Sequence, residues 1–259
     1  MTSEGQPAVE TWSDGRPHAG RVFAAVFPHA DDLTIFASGT ALKLLHEGYT
    51  GYLILTTDDD KDSYDLSSAE TALRNDEESR RVADLLGLTK LYRFDYQNHH
   101  LGASELIELR HRLITLFRYL RVDTVIGYDP WGHYEENPDH VITAQAVEAA
   151  CWMAGRRRDL PELADLGLEP LTVRDKYYVA RGPQLTNLVV DISPAADRKR
   201  AALALHRTPL DNMWRTHLDL HPGDDIGYDE FVATRVLDDA GGDYGFAHVE
   251  LFHRIGAGA

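Results

Sequence analysis

Alternation restricts this chain more than any other feature. Apolar runs of strand length recur between segments of helical periodicity, with strands expected at residues 22–27, 52–57, 91–96 and 124–128. The intervening helices are expected at 33–46, 69–86, 105–120 and 138–153. Gly48 and Gly87 stop the first two helices, as residues that tolerate left-handed backbone do. Strands taken in turn with helices imply crossover connections rather than hairpins. The fold class is therefore α/β: a Rossmann-like, mostly parallel sheet with helices on both faces. Further strands are expected at 176–181, 188–192 and 249–255, and a helix at 195–206. The stretch 155–170, Arg-rich and then bounded by prolines, reads as a surface excursion. Residues 208–244 are rich in Asp, Gly and His and show no clear period, so the C-terminal part is less regular.

The acidic, polar opening MTSEGQPAVETWSDGRPHAG lacks the apolar stretch of a signal peptide. Residues 1–20 read as a flexible or loosely docked arm, and 21–259 as a single domain. A chain of 259 residues can bury a sizeable core. With 26 Lys and Arg against 42 Asp and Glu, the formal net charge is −16. Such a surface repels phosphate backbones and anionic lipid, which argues against nucleic acid and membrane partners. No apolar run approaches the ~20 residues needed to span a bilayer. The single cysteine, Cys151, leaves no internal disulfide and suits a cytoplasmic, reducing setting.

The chemistry gathers after the first and fourth strands. The first runs into PHADD, residues 28–32, where a histidine and two adjacent carboxylates follow a buried run. The fourth runs into DPWGHYEENPDH, residues 129–140. In doubly wound sheets these two strands commonly lie side by side, and ligands bind beyond their carboxyl ends where the winding reverses. One crevice would then receive His29, Asp31 and Asp32 from one loop, and His133, Glu135, Glu136, Asp139 and His140 from the other. Two imidazoles and one carboxylate form a familiar three-ligand set for catalytic zinc, with a fourth position for water. His29 and Asp32, three apart at a helix start, can turn towards one point, leaving Asp31 free to take a proton from water. A bound dication would also offset the repulsion between the neighbouring carboxylates. Magnesium and calcium prefer oxygen ligands and fit two histidines less well.

PHADD resembles the A-H-P-D-D-E signature of the PIG-L/LmbE-like N-deacetylase family, and NPDH its second signature, H-P-D-H. Further matches are ADLLGL, the strand FDY followed by QNHHL, and VVDISPAADRKRAALALH, so the resemblance covers roughly residues 22–206. It implies a Rossmann-like fold and zinc-dependent hydrolysis of N-acetyl groups on amino sugars and glycoconjugates. It also implies that His29, Asp32 and His140 are the Zn2+ ligands and Asp31 the general base. Ala30 and Leu33 depart from the first signature without removing a ligand. Asn137 stands where the first histidine of H-P-D-H belongs. An amide can donate to an oxyanion but cannot deliver a proton at neutral pH. Proton delivery then falls to Asp31 acting twice, or to His133.

Several of these residues have a plainer reading beside the functional one. Asn137 suits a helix N-cap before Pro138. Asp139 either complements the helix dipole or supports a ligand. Arg74 binds sugar hydroxyls or is a surface arginine, and Asn98 faces substrate or is a turn residue. The loop TTDDDKDS should line the crevice and suits a substrate of different shape or charge. Two functions of different class remain. One is a zinc-dependent hydrolase of a small-molecule N-acetyl amino sugar or glycoconjugate, with Asp31, Asn137 and Asp139 as its catalytic set. The other is a non-catalytic, metal-containing protein of the same fold that binds a small molecule. A homo-oligomer is compatible with either. A dinucleotide-dependent oxidoreductase fits poorly, since no G-x-G-x-x-G follows the first strand.

Overall fold

A computed structural model of the chain describes residues 6–132, 134–181, 185–237 and 240–256. The elements in order are β1 (Ala8–Glu10), β2 (Val22–Phe27), α1 (Asp32–Phe36), α2 (Ser38–His46), β3 (Thr50–Thr57), α3 (Ser68–Leu86), β4 (Lys90–Tyr96), α4 (Ala103–Leu120), β5 (Thr124–Tyr128) and α5 (Pro138–Met153). They continue with α6 (Glu162–Asp165), β6 (Asp175–Val179), β7 (Leu188–Asp191), α7 (Ala196–Leu203), α8 (Arg207–Leu220), α9 (Tyr228–Phe231) and β8 (Val249–Gly256). One sheet runs β1-β7-β8-β6-β5-β2-β3-β4, and β8 alone is antiparallel to its neighbours. β2 pairs in parallel with both β3 and β5, so the winding reverses at its carboxyl end.

Alternation along β2 shows why the sheet is covered on both faces. Phe23, Ala25 and Phe27 enter one core with Leu53 and Leu55 under α1, α2 and α3. Ala24 and Val26 enter the other with Ile54, Leu113 and Phe117. All five β2 residues are fully buried, and each large side chain contributes about 1.5–3 kcal/mol of apolar transfer. The α3 helix starts at a Ser67/Glu70 capping box and ends at Gly87 in left-handed backbone (φ 83°).

The expected helix over 33–46 divides at Ala37 (φ −149°, ψ 12°) into α1 and α2. A buried ion pair explains the break. The Glu250 carboxylate, arriving on β8, accepts from the amides of Gly39 (2.9 Å) and Thr40 (2.7 Å), which caps the new helix. Lys199 Nζ holds Glu250 (2.6 Å) and the carbonyl of Ile35 (2.8 Å) at the end of α1. No local periodicity could show a cap supplied from more than two hundred residues away.

Of the two readings of the N-terminal arm, the docked one describes residues 8–12. Ala8–Glu10 adds to the open edge of β7 in parallel register, Ala8 opposite Leu188. Trp12 Nε1 donates to Asp191 O (2.9 Å), and Glu10 pairs with Arg254 (2.8 Å). The attachment is made by backbone groups that any sequence carries, so polar composition gave no hint of it. The expected strand over 176–181 stops at Val179. The excursion after α5 is mostly exposed, and Arg118, itself buried, organises it. Its guanidinium donates to the carbonyls of Ala154 (3.1 Å), Arg156 (2.9 Å), Asp159 (3.0 Å) and Leu160 (3.3 Å).

Much of 208–244 is helical after all: α8, α9, a π-helical turn at Val232–Val236 and a 3-10 turn at Ala240–Tyr244. Leu203, Leu210, Phe231 and Val236 form a small core of their own. The polar side of α8 meets the loop after β3, with Asn212 Nδ2 donating to Asp62 (2.7 Å) and Tyr64 Oη to Asp219 (2.7 Å). No helix among the described residues is long and apolar enough to cross a membrane.

Candidate active site

The loops after β2 and β5 meet as their neighbouring strands require. His29, Asp32 and His140 come together, their ligand atoms lying within 4.8 Å of one another, and all three are buried. His29 Nδ1 lies 3.1 Å from His140 Nε2 and 3.4 Å from Asp32 Oδ2, while His140 Nε2 lies 3.7 Å from Asp32 Oδ1. Ligands about 2.0–2.1 Å from a tetrahedral zinc sit ~3.3 Å from each other. The two ring nitrogens are close to that spacing, and a different oxygen of Asp32 lies nearest each of them.

The outer nitrogens decide which way each ring presents its lone pair. His29 Nε2 faces Asp139 Oδ2 at 3.4 Å, and His140 Nδ1 faces Glu135 Oε2 at 3.1 Å. Asp139 can accept from His29 Nε2, which would leave Nδ1 to offer a lone pair, whereas His140 Nδ1 lies near Glu135 without a hydrogen bond and Nε2 is the nitrogen turned inward. At 3.1 Å the two inner nitrogens can share a proton, and a metal ion would take that proton's place. The donor set therefore fits a zinc ion. Asp32 is fixed by the His29 amide (2.9 Å) and the Tyr128 hydroxyl (2.6 Å). The Tyr128 ring stacks on His140 with centroids 4.0 Å apart.

Electrostatics also favour a cation here. Burial acts to lower the His29 pKa, yet Asp139 and Asp32 hold it well above the ordinary value. Burial raises the Asp32 carboxyl, but His140, His29 and the Tyr128 hydroxyl bring it down to about 2. Glu135 is likewise lowered to about 2 against its burial, chiefly by His140. Asp31 behaves oppositely. Burial and the negative charges of Asp62, Asp32 and Asp59 push its pKa well up. Its side chain caps no helix amide, and it lines the cavity.

That cavity has a volume of about 880 Å³ and is bounded by the loops after β2, β3, β4 and β5 and by α8. His29, Asp31, Asp32, His140, Asn137 and Asn98 line it, together with Asp59, Lys61 and Asp62 of the acidic loop. Asn137 is the N-cap of α5, its Oδ1 accepting from the Asp139 amide (2.9 Å). The cap uses only the oxygen, leaving the NH2 donors unspent. Asp139 does not reach the cavity. Fully buried, it accepts from the amides of His99 (2.6 Å) and Leu101 (3.1 Å) and orients His29. It is a positioning residue, and its place under the helix start follows from needing those amides.

Arg74 is not in the cavity wall; it is exposed on α3. One residue on, a helix turns through about 100°, and it is Asn75 that faces inward. Its Nδ2 donates to Asp59 Oδ2 (3.1 Å) and to the Asp59 carbonyl (3.1 Å). His133 lies outside the described residues. Sequence reasoning passed over Tyr128, Asn75 and the supporting role of Glu135. The only local signal for Tyr128 was its position as the last residue of a strand at the switch point.

The comparisons agree with this geometry. Residues 24–151 match the family model described as PIG-L, GlcNAc-PI de-N-acetylase. The chain is 32% identical over 195 residues to the diacetylchitobiose deacetylase of Thermococcus kodakarensis, covering 72% of this chain and 70% of the relative. The structure of N,N'-diacetylchitobiose deacetylase from Pyrococcus horikoshii, solved with an inhibitor, superposes with a TM-score of 0.76 at 25% identity. The match covers 91% of this chain and 84% of that one. The same fold is shared with GalB, the 4-carboxy-2-hydroxymuconate hydratase of Pseudomonas putida KT2440, at a TM-score of 0.67 and 16% identity. That match covers 91% of this chain and 96% of the hydratase. Identity, coverage and fold together establish that the chain belongs to the PIG-L family.

Proposed function

We propose that the protein is a zinc-dependent N-deacetylase acting on an N-acetylated amino sugar or glycoconjugate. The observation that carries the reading is the pair of imidazoles turned inward beside Asp32, with Asp31 next to them and free of any structural duty. Zinc held by His29, Asp32 and His140 would supply a water of lowered pKa and polarise the acyl carbonyl. Asp31 takes the proton that the attacking water loses and returns it to the amine as the C–N bond breaks. One water is added across the C–N bond, so acetic acid and the amine leave and ionise to acetate and ammonium, and no second acid is needed. The Asn137 NH2, unused by the cap, would donate to the acyl oxygen as negative charge develops there. Asp139 and Glu135 keep the two rings in the tautomers that ligation needs.

The diacetylchitobiose deacetylase relatives support an amino-sugar substrate. The cavity, at about 880 Å³, has room for more than one sugar ring. A non-catalytic binding protein gains nothing from a buried, unpartnered carboxylate beside a metal, so Asp31 favours the enzyme. A screen for released acetate across N-acetyl sugars tests the reading. Release by the wild type and none by Asp31→Asn is the expected result; no release from any N-acetyl sugar would overturn it.

A further inference from the structure

The cavity has two sides of different chemistry. Beyond the inward-facing imidazoles, the loop after β3 and the loop after β4 build a corner from Asp59, Asp62 and Asn98. Asn98 Nδ2 donates to Asp59 Oδ1 (3.2 Å). The Asn98 Oδ1 acceptor is then left without a partner, in a residue only 1% exposed. Asp62 has Oδ1 bonded to Asn212 Nδ2 (2.7 Å). Among the described residues neither Asp59 nor Asp62 has a basic side chain in ion-pair contact.

Three of the four Lys and Arg residues lining the cavity are committed to partners. Lys199 is held by Glu250 (2.6 Å) and Arg181 by Glu135 (2.8 Å). Lys61 donates to the Asn98 carbonyl. Arg235 is exposed on the π-helical turn. Neutral donors, the Ala30 amide and Asn75 Nδ2, serve Asp59 Oδ2, and Lys61 is tied to the Asn98 backbone. The corner therefore keeps two carboxylates without an ion-pair partner and one orphaned, buried amide oxygen, and it asks for a donor that brings positive charge.

A second metal ion would need several ligand atoms converging on one point. Among the described residues the His, Cys, Asp and Glu side chains converge in that way only at His29, Asp32 and His140. An ammonium group needs no such convergence, since its three donors spread over separate acceptors. We propose that the Asp59–Asp62–Asn98 corner binds a protonated amine of the substrate. The preferred substrate is then an amino sugar that carries a free amino group besides its N-acetyl group. This rests on the deacetylase reading and narrows its substrate class. Burial, with Asp62 beside it, pushes the Asp59 carboxyl up to about 8, and a bound ammonium would offset that shift, so binding of the amine would be accompanied by release of a proton from the corner. The overall charge of −16 would draw such a cation towards the site.

Calorimetric titration of the zinc-loaded protein with two disaccharides that differ in charge tests the inference. Chitobiose, the diamine, is compared with cellobiose, which carries hydroxyls in place of the amines, at about pH 6, below the ~7.7 of an α-amine. Chitobiose is expected to bind at least tenfold more tightly, the ratio falling below threefold in Asp62→Asn. Equal binding of the two sugars by the wild type would overturn the inference. So would a ratio that survives in Asp62→Asn, since the amine would then be held somewhere else. Acetate release is a separate readout: its absence removes the deacetylase reading, while the binding ratio still reports on the corner.

Discussion

His29 Nδ1 and His140 Nε2 lie 3.1 Å apart although 111 positions separate them in sequence. Neither ring is placed by its own loop alone. Asp139 holds the outer nitrogen of His29 and Glu135 that of His140, so the chain that delivers one ligand also steers the other. The loop after β5 thereby orients both imidazoles, and β5 is beside β2 because the sheet reverses there.

Removing a ligand should separate metal binding from folding. His140→Ala is expected to lose most bound zinc, with far-ultraviolet circular dichroism unchanged, since the ring caps no strand. Glu135→Gln should keep the ligand but weaken zinc about 10–100-fold, the usual effect of losing a supporting partner. Competition against a fluorescent chelator reads both, and wild-type zinc affinity in both variants would show that these rings do not ligate.

Adjacent carboxylates should behave differently. Asp31→Asn is expected to abolish turnover while keeping zinc, because an amide cannot accept the proton. Asp32→Asn should lower zinc content. Equal zinc loss in the two would mean that the roles are misassigned.

Asn137→Ala removes the observed cap of α5, and about 1 kcal/mol of unfolding free energy should go with it. If the NH2 group also meets the acyl oxygen, kcat falls by about 2–4 kcal/mol of transition-state stabilisation. Denaturant unfolding and turnover of this one variant measure the two effects apart. Full activity with reduced stability would leave Asn137 a cap only.

Arg118→Leu should be among the more damaging substitutions away from the site. Four carbonyls after α5 would lose their shared donor, at a cost of about 2–4 kcal/mol. Urea unfolding monitors it, and a change below ~0.5 kcal/mol would show that water replaces the guanidinium freely.

A pH dependence of stability follows from Asp175. Burial acts to raise its pKa, but hydrogen bonds from Arg254 (2.8 Å) and Arg21 (2.9 Å) hold it below the ordinary value. The unfolded chain then binds the proton more tightly. The stabilisation is present above the unfolded pKa of ~3.9 and is lost as pH falls through the lower folded value. Asp175→Asn should be less stable than wild type at neutral pH, with the gap narrowing below about pH 4. A gap independent of pH would contradict this.

The parallel sheet was legible from strand-length apolar runs and the crevice from polar clusters at strand ends, while the choice of His29, Asp32 and His140 among those clusters came from the resemblance of PHADD and NPDH to the family signatures. The break at Ala37 was not, because its cause is Glu250 arriving from β8. Asp139 was legible as an acidic residue in a helix's first turn. Its role as a support for His29 depends on the amides of His99 and Leu101, which only the fold brings near. Of the two readings open for Arg74, the structure gives the surface one, because a one-residue offset on a helix exchanges an inward side chain for an exposed one. The roof built from α8 and α9 escaped because its small core assembles from Leu203, Leu210, Phe231 and Val236, spread too widely to give a period.

The central claim is hydrolysis of an N-acetyl group with zinc at His29, Asp32 and His140. Its most direct test follows acetate release from N,N'-diacetylchitobiose and a panel of N-acetyl amino sugars by protein as purified, after chelation, and after zinc is restored. The account predicts release that chelation abolishes and one equivalent of zinc per chain restores. Acetate release that continues undiminished after complete chelation, or none with zinc bound, would contradict it.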